Sequence, residues 1–315
     1  MGPQVSSSPK REEDGAVSSE MRLAHDIWRE FAASTAELAL GETRRALDQL
    51  MLSFGAPRDV VAGSTELGGL PVVDVVAARE NPRCVILWLH GGAYCMGSTA
   101  GYRHFGAHLA RVANARVILP EYRLAPEHHY PDAVDDACAA YLALRARADS
   151  RETVILAGDS AGGGLAMGTL LRLREQGHAL PAGCVLVSPW LDLTLSGSTL
   201  VSHADLDPLL SRAMLAGACR AYLDGADSSS ALLSPLDADL SGLPPMLIQV
   251  GEREVLLDDS RRLAERGAAH RVQVTLQVEP AAPHVFQLFA SFLPEARSAL
   301  RRIGGFIGAA TVKPT

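Results

Sequence analysis

From Ser19 to Phe54 the apolar residues Ile27, Phe31, Leu38, Leu47, Leu50 and Met51 recur at spacings that share helical faces, with no intervening proline. The period then changes. VVDVVAA at 72–78 and CVILWLH at 84–90 read as strands, the second apolar almost throughout, as in a strand buried on both faces. Four more apolar runs follow: ARVILP at 115–120, TVILAG at 153–158, AGCVLVSP at 182–189 and PMLIQVG at 245–251. RVQVTLQV at 271–278 closes the series with clean alternation. Helical stretches such as 130–148 and 161–177 lie between them, the spacing of crossover units on a mainly parallel sheet, and therefore of an α/β fold. Residues 190–244 break the rhythm with more chain than one crossover helix needs, and are expected to form a cap over the strand ends. Residues 1–19, rich in Ser, Lys and Glu, are expected to be a disordered tail. That leaves 20–315 as one domain, with cap elements from about 20–55 and 190–244.

Composition narrows the function classes. A net charge of −7 offers no broad basic field for a nucleic-acid partner. No run of 18 apolar residues is present, so no stable membrane insertion is expected. Five cysteines without a C-x-x-C pair or Cys/His cluster suggest reduced, buried thiols and a cytoplasmic location, with no metal site.

Two glycine-rich stretches carry candidate chemistry. Gly158-Asp159-Ser160-Ala161-Gly162 follows an apolar run and precedes a helical one, the setting of a G-x-S-x-G nucleophile elbow. A serine held in a strained turn needs small neighbours so that strand and helix can approach closely. A phosphate loop fits less well, because the P-loop lysine is missing. Upstream, His90-Gly91-Gly92-Ala93 follows the strand CVILWLH directly. Consecutive glycines there could turn backbone N–H groups towards a developing oxyanion. A serine also needs a base. Of the ten histidines only His270 and His284 follow the carboxylate-rich stretch GEREVLLDD at 251–259. His270 sits in the charged run RGAAHR, whereas His284 follows the last strand in a loop, where the base is expected.

HGGAY at 90–94, YRLAPEHHYPDAVDDA at 122–137, GDSAGG at 158–163, SPWLDLT at 188–194 and PHVF at 283–286 together resemble the hormone-sensitive-lipase-like esterases, over about residues 55–305. The resemblance implies an α/β-hydrolase fold: a mostly parallel eight-stranded sheet with helices on both faces and a helical cap. It also implies a cofactor-free hydrolase of carboxylic esters, with Ser160 as nucleophile, His284 as base, and the amides of Gly91, Gly92 and Ala161 as the oxyanion hole. A small-molecule ester of short to medium acyl chain is the expected substrate, with an acetylated or cyclic metabolite (deacetylase, amidase or lactonase action) as the alternative. A homodimer is common in such relatives. Non-catalytic receptors on this fold lose the base, and this chain keeps His284.

The chain departs from the family pattern twice. Ala93 stands where a third glycine is usual, and Glu254 occupies the place of the usual aspartate in Glu254-Val255-Leu256-Leu257-Asp258. Either carboxylate can orient a histidine, so Glu254 is the expected acid, while Asp258 and Asp259 are expected to charge the first turn of the next helix. Arg123, Glu127, Asp132, Asp136 and Asp192 read as fold-forming ion-pair residues, and Trp28 and Phe31 as core or pocket residues of the N-terminal helix.

Overall fold

The computed structural model describes residues 17–77, 83–147 and 152–311. Most of the expected tail therefore lies outside the described residues. The helical pattern begins at Ser19 as read, but it forms two helices, α1 (Ser19–Thr35) and α2 (Leu40–Ser53). The Ser18 hydroxyl accepts the Met21 amide to start α1. Glu42 reaches back to the Ala39 amide to start α2, so the chain turns at 36–39.

A single sheet follows, with strands β1 (Val60–Leu67), β2 (Leu70–Ala77), β3 (Cys84–Leu89), β4 (Arg116–Pro120), β5 (Thr153–Asp159), β6 (Gly183–Val187), β7 (Met246–Gly251) and β8 (Val274–Glu279). Their spatial order is β1-β2-β4-β3-β5-β6-β7-β8, with β2 antiparallel to both its neighbours, β1 and β4, and every other pair parallel. Every residue of β3, β6 and β7 is buried, because helices cover both faces. On one face pack α4 (Asp132–Arg147), α5 (Ala161–Glu175) and α8 (Leu257–Ala269), with Tyr141, Leu165, Leu170 and Leu263 in the core. On the other face α3 (Thr99–Ala113) and α9 (Pro294–Thr311) bring Phe105, Leu109, Leu300 and Ile303 against Ile86, Trp88 and Val185.

Residues 190–244 contain short α6 (Thr199–Ser202), α7 (Arg212–Leu223) and a 3-10 turn at Pro235–Asp237, in place of a simple crossover. They lie over the same end of the sheet as α1 and α2, and both segments line one cavity above Ser160. The ion-pair residues are structural. Arg123 makes a forked bond to Asp136 and a second to Asp132, Arg262 meets Asp192, and Glu127 pairs with Arg44 of α2. No helix among the described residues is long and apolar enough to cross a membrane.

Candidate active site

Three strands of the parallel part of the sheet, β5, β7 and β8, end on the same side and deliver the key residues. Ser160 sits between β5 and α5 with φ 53° and ψ −123°, a strained conformation for a residue with a side chain. The surrounding turn holds it there. Its amide donates to Val187 O at 2.9 Å, and its carbonyl accepts the Trp190 amide at 2.9 Å. A Cβ on Gly158 would stand 2.2 Å from Gly162 O, and one on Gly162 would stand 2.0 Å from Leu89 O. The glycines of the elbow are thus required by the close approach of strand and helix.

His284 lies in the loop after β8, and its Nε2 is 3.0 Å from Ser160 Oγ. Its Nδ1 is 2.7 Å from Glu254 Oε2, on the turn after β7. All three residues are buried. In the neutral tautomer Nδ1–H donates to Glu254 and Nε2 accepts the serine proton. Burial alone would lower the His284 pKa, but the charge and hydrogen bond of Glu254 overcome it and hold it above the ordinary histidine value. Burial pushes the Glu254 carboxyl up, against His284, Ser188 and the Gly251 amide, which all favour its charged form.

Ser188 is a residue whose role the sequence reading missed. Its hydroxyl donates to Glu254 Oε1 at 2.6 Å and accepts the Val285 amide at 3.1 Å, which ties the acid to the histidine loop. The available signal was its place at the end of β6, next to the strands that carry the other site residues. Asp258 and Asp259 do not reach His284. Asp258 bonds the amide and hydroxyl of Ser198. Both carboxylates stand in the first turn of α8 as expected, but Asp259 is buried there and accepts the Leu191 and Asp192 amides at 2.8 and 3.1 Å. Burial pushes its carboxyl up to about 7.

The oxyanion loop also differs from expectation. The Gly91 amide points inward, 3.1 Å from both Tyr102 Oη and Asp159 Oδ1, so it is not free to bind an oxyanion. Gly92 and Ala93 instead line the cavity beside Ser160, at φ 123° and 55°. Among the described residues neither amide donates to a protein acceptor, and the Ala161 amide begins α5 at the elbow. Asp159 organises this loop. It accepts the Trp88 indole at 2.9 Å, the Tyr102 hydroxyl at 2.7 Å and the Gly91 amide, and burial raises its carboxyl to about 6. Asp159→Asn leaves one carbonyl oxygen for three donors. It is expected to lower kcat about 10²-fold, the scale of a displaced oxyanion donor, with little change in the rest of the fold. Steady-state kinetics with circular dichroism checks this.

Above Ser160 opens a cavity of about 540 Å³, lined by Trp28, Phe31, Leu47 and Met51 from the N-terminal helices and by Met214 and Leu215 of α7, among others. Trp28 and Phe31 are therefore pocket residues.

Residues 86–288 match the model of the alpha/beta hydrolase fold family. An acetyl-hydrolase of Streptomyces hygroscopicus is 40% identical over 275 residues, 86% of this chain and 90% of that protein. An esterase of Acinetobacter venetianus is 37% identical over 274 residues, 87% of this chain and 90% of its own. The crystal structure of an esterase from the bacterial hormone-sensitive lipase family superposes with a TM-score of 0.91 at 38% identity, covering 94% of this chain and all of the other. The chain belongs to the alpha/beta hydrolase fold family. Within it, the chain groups with the ester-hydrolysing enzymes of the hormone-sensitive-lipase type.

Proposed function

We propose that the protein hydrolyses neutral carboxylic esters of short to medium acyl chain through an acyl-enzyme. The observation that carries this reading is the unbroken Glu254–His284–Ser160 chain at 2.7 and 3.0 Å, at the floor of an apolar cavity. His284 takes the proton of Ser160 as its oxygen attacks the ester carbonyl. The amides of Gly92, Ala93 and Ala161 receive the oxyanion. His284 then returns the proton to the leaving alcohol, and water releases the acyl group by the same steps. Among the described residues, Asp159 and His284 are the Asp/Glu/Lys/Arg/His residues lining the cavity, and both are engaged inside the site. A charged substituent would lie there unpaired, at a high desolvation cost. Residues 20–315 act as one hydrolase domain whose cap, from 20–55 and 190–244, shapes the cavity. Residence in the cytoplasm is supported by the acidic chain and its five free, buried thiols. A homodimer is the proposed assembly, by analogy with relatives.

The Streptomyces relative favours a second reading, removal of an acetyl group from a metabolite with the same machinery. A series of p-nitrophenyl esters from acetate to dodecanoate, with p-nitroacetanilide alongside, separates the two. Turnover peaking at butyrate to octanoate supports the first; turnover confined to acetyl compounds supports the second. Absence of any hydrolysis, with no organophosphate adduct on Ser160, would remove both. Because His284 must be neutral to accept a proton, kcat/KM is expected to fall on the acid side. The limb should lie at higher pH than an unperturbed histidine would give, in line with its raised pKa.

A further inference from the structure

Helix α1 does more than roof the cavity. Its Trp28 Nε1–H donates to the backbone carbonyl of His284 itself, at 2.8 Å. One turn earlier, His25 Nε2 lies 2.8 Å from the carbonyl of Ala281, so that nitrogen carries the proton. Residues 25 and 28 share one helical face, and both side chains are buried. The loop they grip is strained. Ala281 sits at φ 56°, and Val285, a β-branched residue, at φ 48° and ψ 44°. Left-handed backbone is unfavourable at such a residue and persists only where surrounding bonds impose it. From the other side, Ser188 Oγ accepts the Val285 amide and Glu252 accepts the Ala281 amide.

We infer that α1 is a positioning element for the base: His25 and Trp28 hold the strained 281–285 loop in the shape that keeps His284 between Glu254 and Ser160. Docking of the cap and assembly of the triad are then linked, since a lifted α1 would release both carbonyls and let the loop relax. This rests on the role proposed above for His284. His25 separates the positioning effect from substrate packing, because its side chain does not line the cavity whereas Trp28 does. The charged groups facing His284 are Glu254 from the acid turn, Asp207 from the cap insertion and Asp159 from the elbow. Those around His25 are Arg29 of α1, Arg253 of the acid turn and Asp207. None is altered by the variants below.

The test compares His25→Leu, His25→Gln and Trp28→Phe with wild type and with Phe31→Leu, a pocket control on the same helix, using p-nitrophenyl acetate. Folding is checked by thermal unfolding. His25→Leu is expected to lower kcat tenfold or more with KM within twofold, and Trp28→Phe, whose ring also lines the cavity, to lower kcat by a similar factor whatever its effect on KM. Their acid limb should move to lower pH as the His284–Glu254 bond loosens, and the low-field proton resonance of that bond should weaken. His25→Gln, whose amide can still donate to Ala281 O, should restore most of kcat. Phe31→Leu should change KM alone. Folded His25→Leu and Trp28→Phe with wild-type kcat, acid limb and low-field resonance would overturn the proposal. If Trp28→Phe lost cooperative unfolding, the His25 pair would decide. His284→Ala distinguishes the two levels: an active His284→Ala removes the base role and this proposal with it, while an inactive one beside wild-type-like cap variants removes only the positioning role.

Discussion

Ser160→Ala is expected to lower kcat on p-nitrophenyl butyrate by roughly 10⁵–10⁶-fold while KM and thermal stability stay close to wild type. The residue contributes one oxygen, and its alanine replacement keeps the backbone bonds to Val187 and Trp190 that fix the elbow. The substitution removes no side-chain volume that the core depends on, because the hydroxyl faces the cavity. The strain at φ 53° remains, since alanine meets the same backbone sterics as serine. Activity should not reach that of water alone. The amides of Gly92, Ala93 and Ala161 still meet a bound ester, and such donors with binding leave roughly 10³–10⁴-fold catalysis in triad-less enzymes. Residual turnover should be insensitive to organophosphate. A Ser160→Ala protein that kept more than a few per cent of wild-type kcat would exclude the acyl-enzyme route.

The parts of this molecule that were legible in its sequence are those in which one local constraint dominates. Strands β3 to β7 declare themselves because strands covered on both faces must be apolar throughout or nearly so. The elbow shows because strand and helix cannot close upon a larger residue than glycine at 158 and 162. Strand β1 was not legible. It reads VVAGSTEL, is exposed at six successive positions, and is held to β2 by a Gly68-Gly69 hairpin turn, with no buried face to impose alternation. The expectation for the Gly91 amide failed for a related reason. Two glycines and an alanine can all aim an amide, and what turns Gly91 inward is Asp159 from a distant strand together with Tyr102 of α3. Ser188 and the buried Asp259 likewise depend on partners some seventy residues away or more, which local spacing does not encode. The site was readable as a set of residue types in order. Which amide or carboxylate of each set faces the reaction is a property of the tertiary structure.

Glu254→Gln is expected to lower kcat by about 10⁴-fold, and Asp258→Asn by less than tenfold. Both residues belong to the four carboxylates between 252 and 259, yet their surroundings differ entirely. Glu254 is fully buried with one oxygen on His284 Nδ1 and the other on Ser188 and the Gly251 amide. Glutamine fills the same volume but can present only one carbonyl oxygen. If that oxygen stays with Ser188 and Gly251, both donors to it, the amide NH₂ faces Nδ1 and favours the tautomer with the proton on Nε2. A proton there cannot be exchanged for that of Ser160, so the base is lost while the fold is kept. The acid limb should also fall towards the ordinary histidine value, because the charge that raises His284 is gone. Asp258 carries no such burden. Its carboxylate joins the start of α8 to Ser198 at a partly exposed edge, and asparagine can still accept one of those bonds. Full pH–rate profiles of the two variants decide between them, and a larger loss in Asp258→Asn than in Glu254→Gln would move the acid role to Asp258.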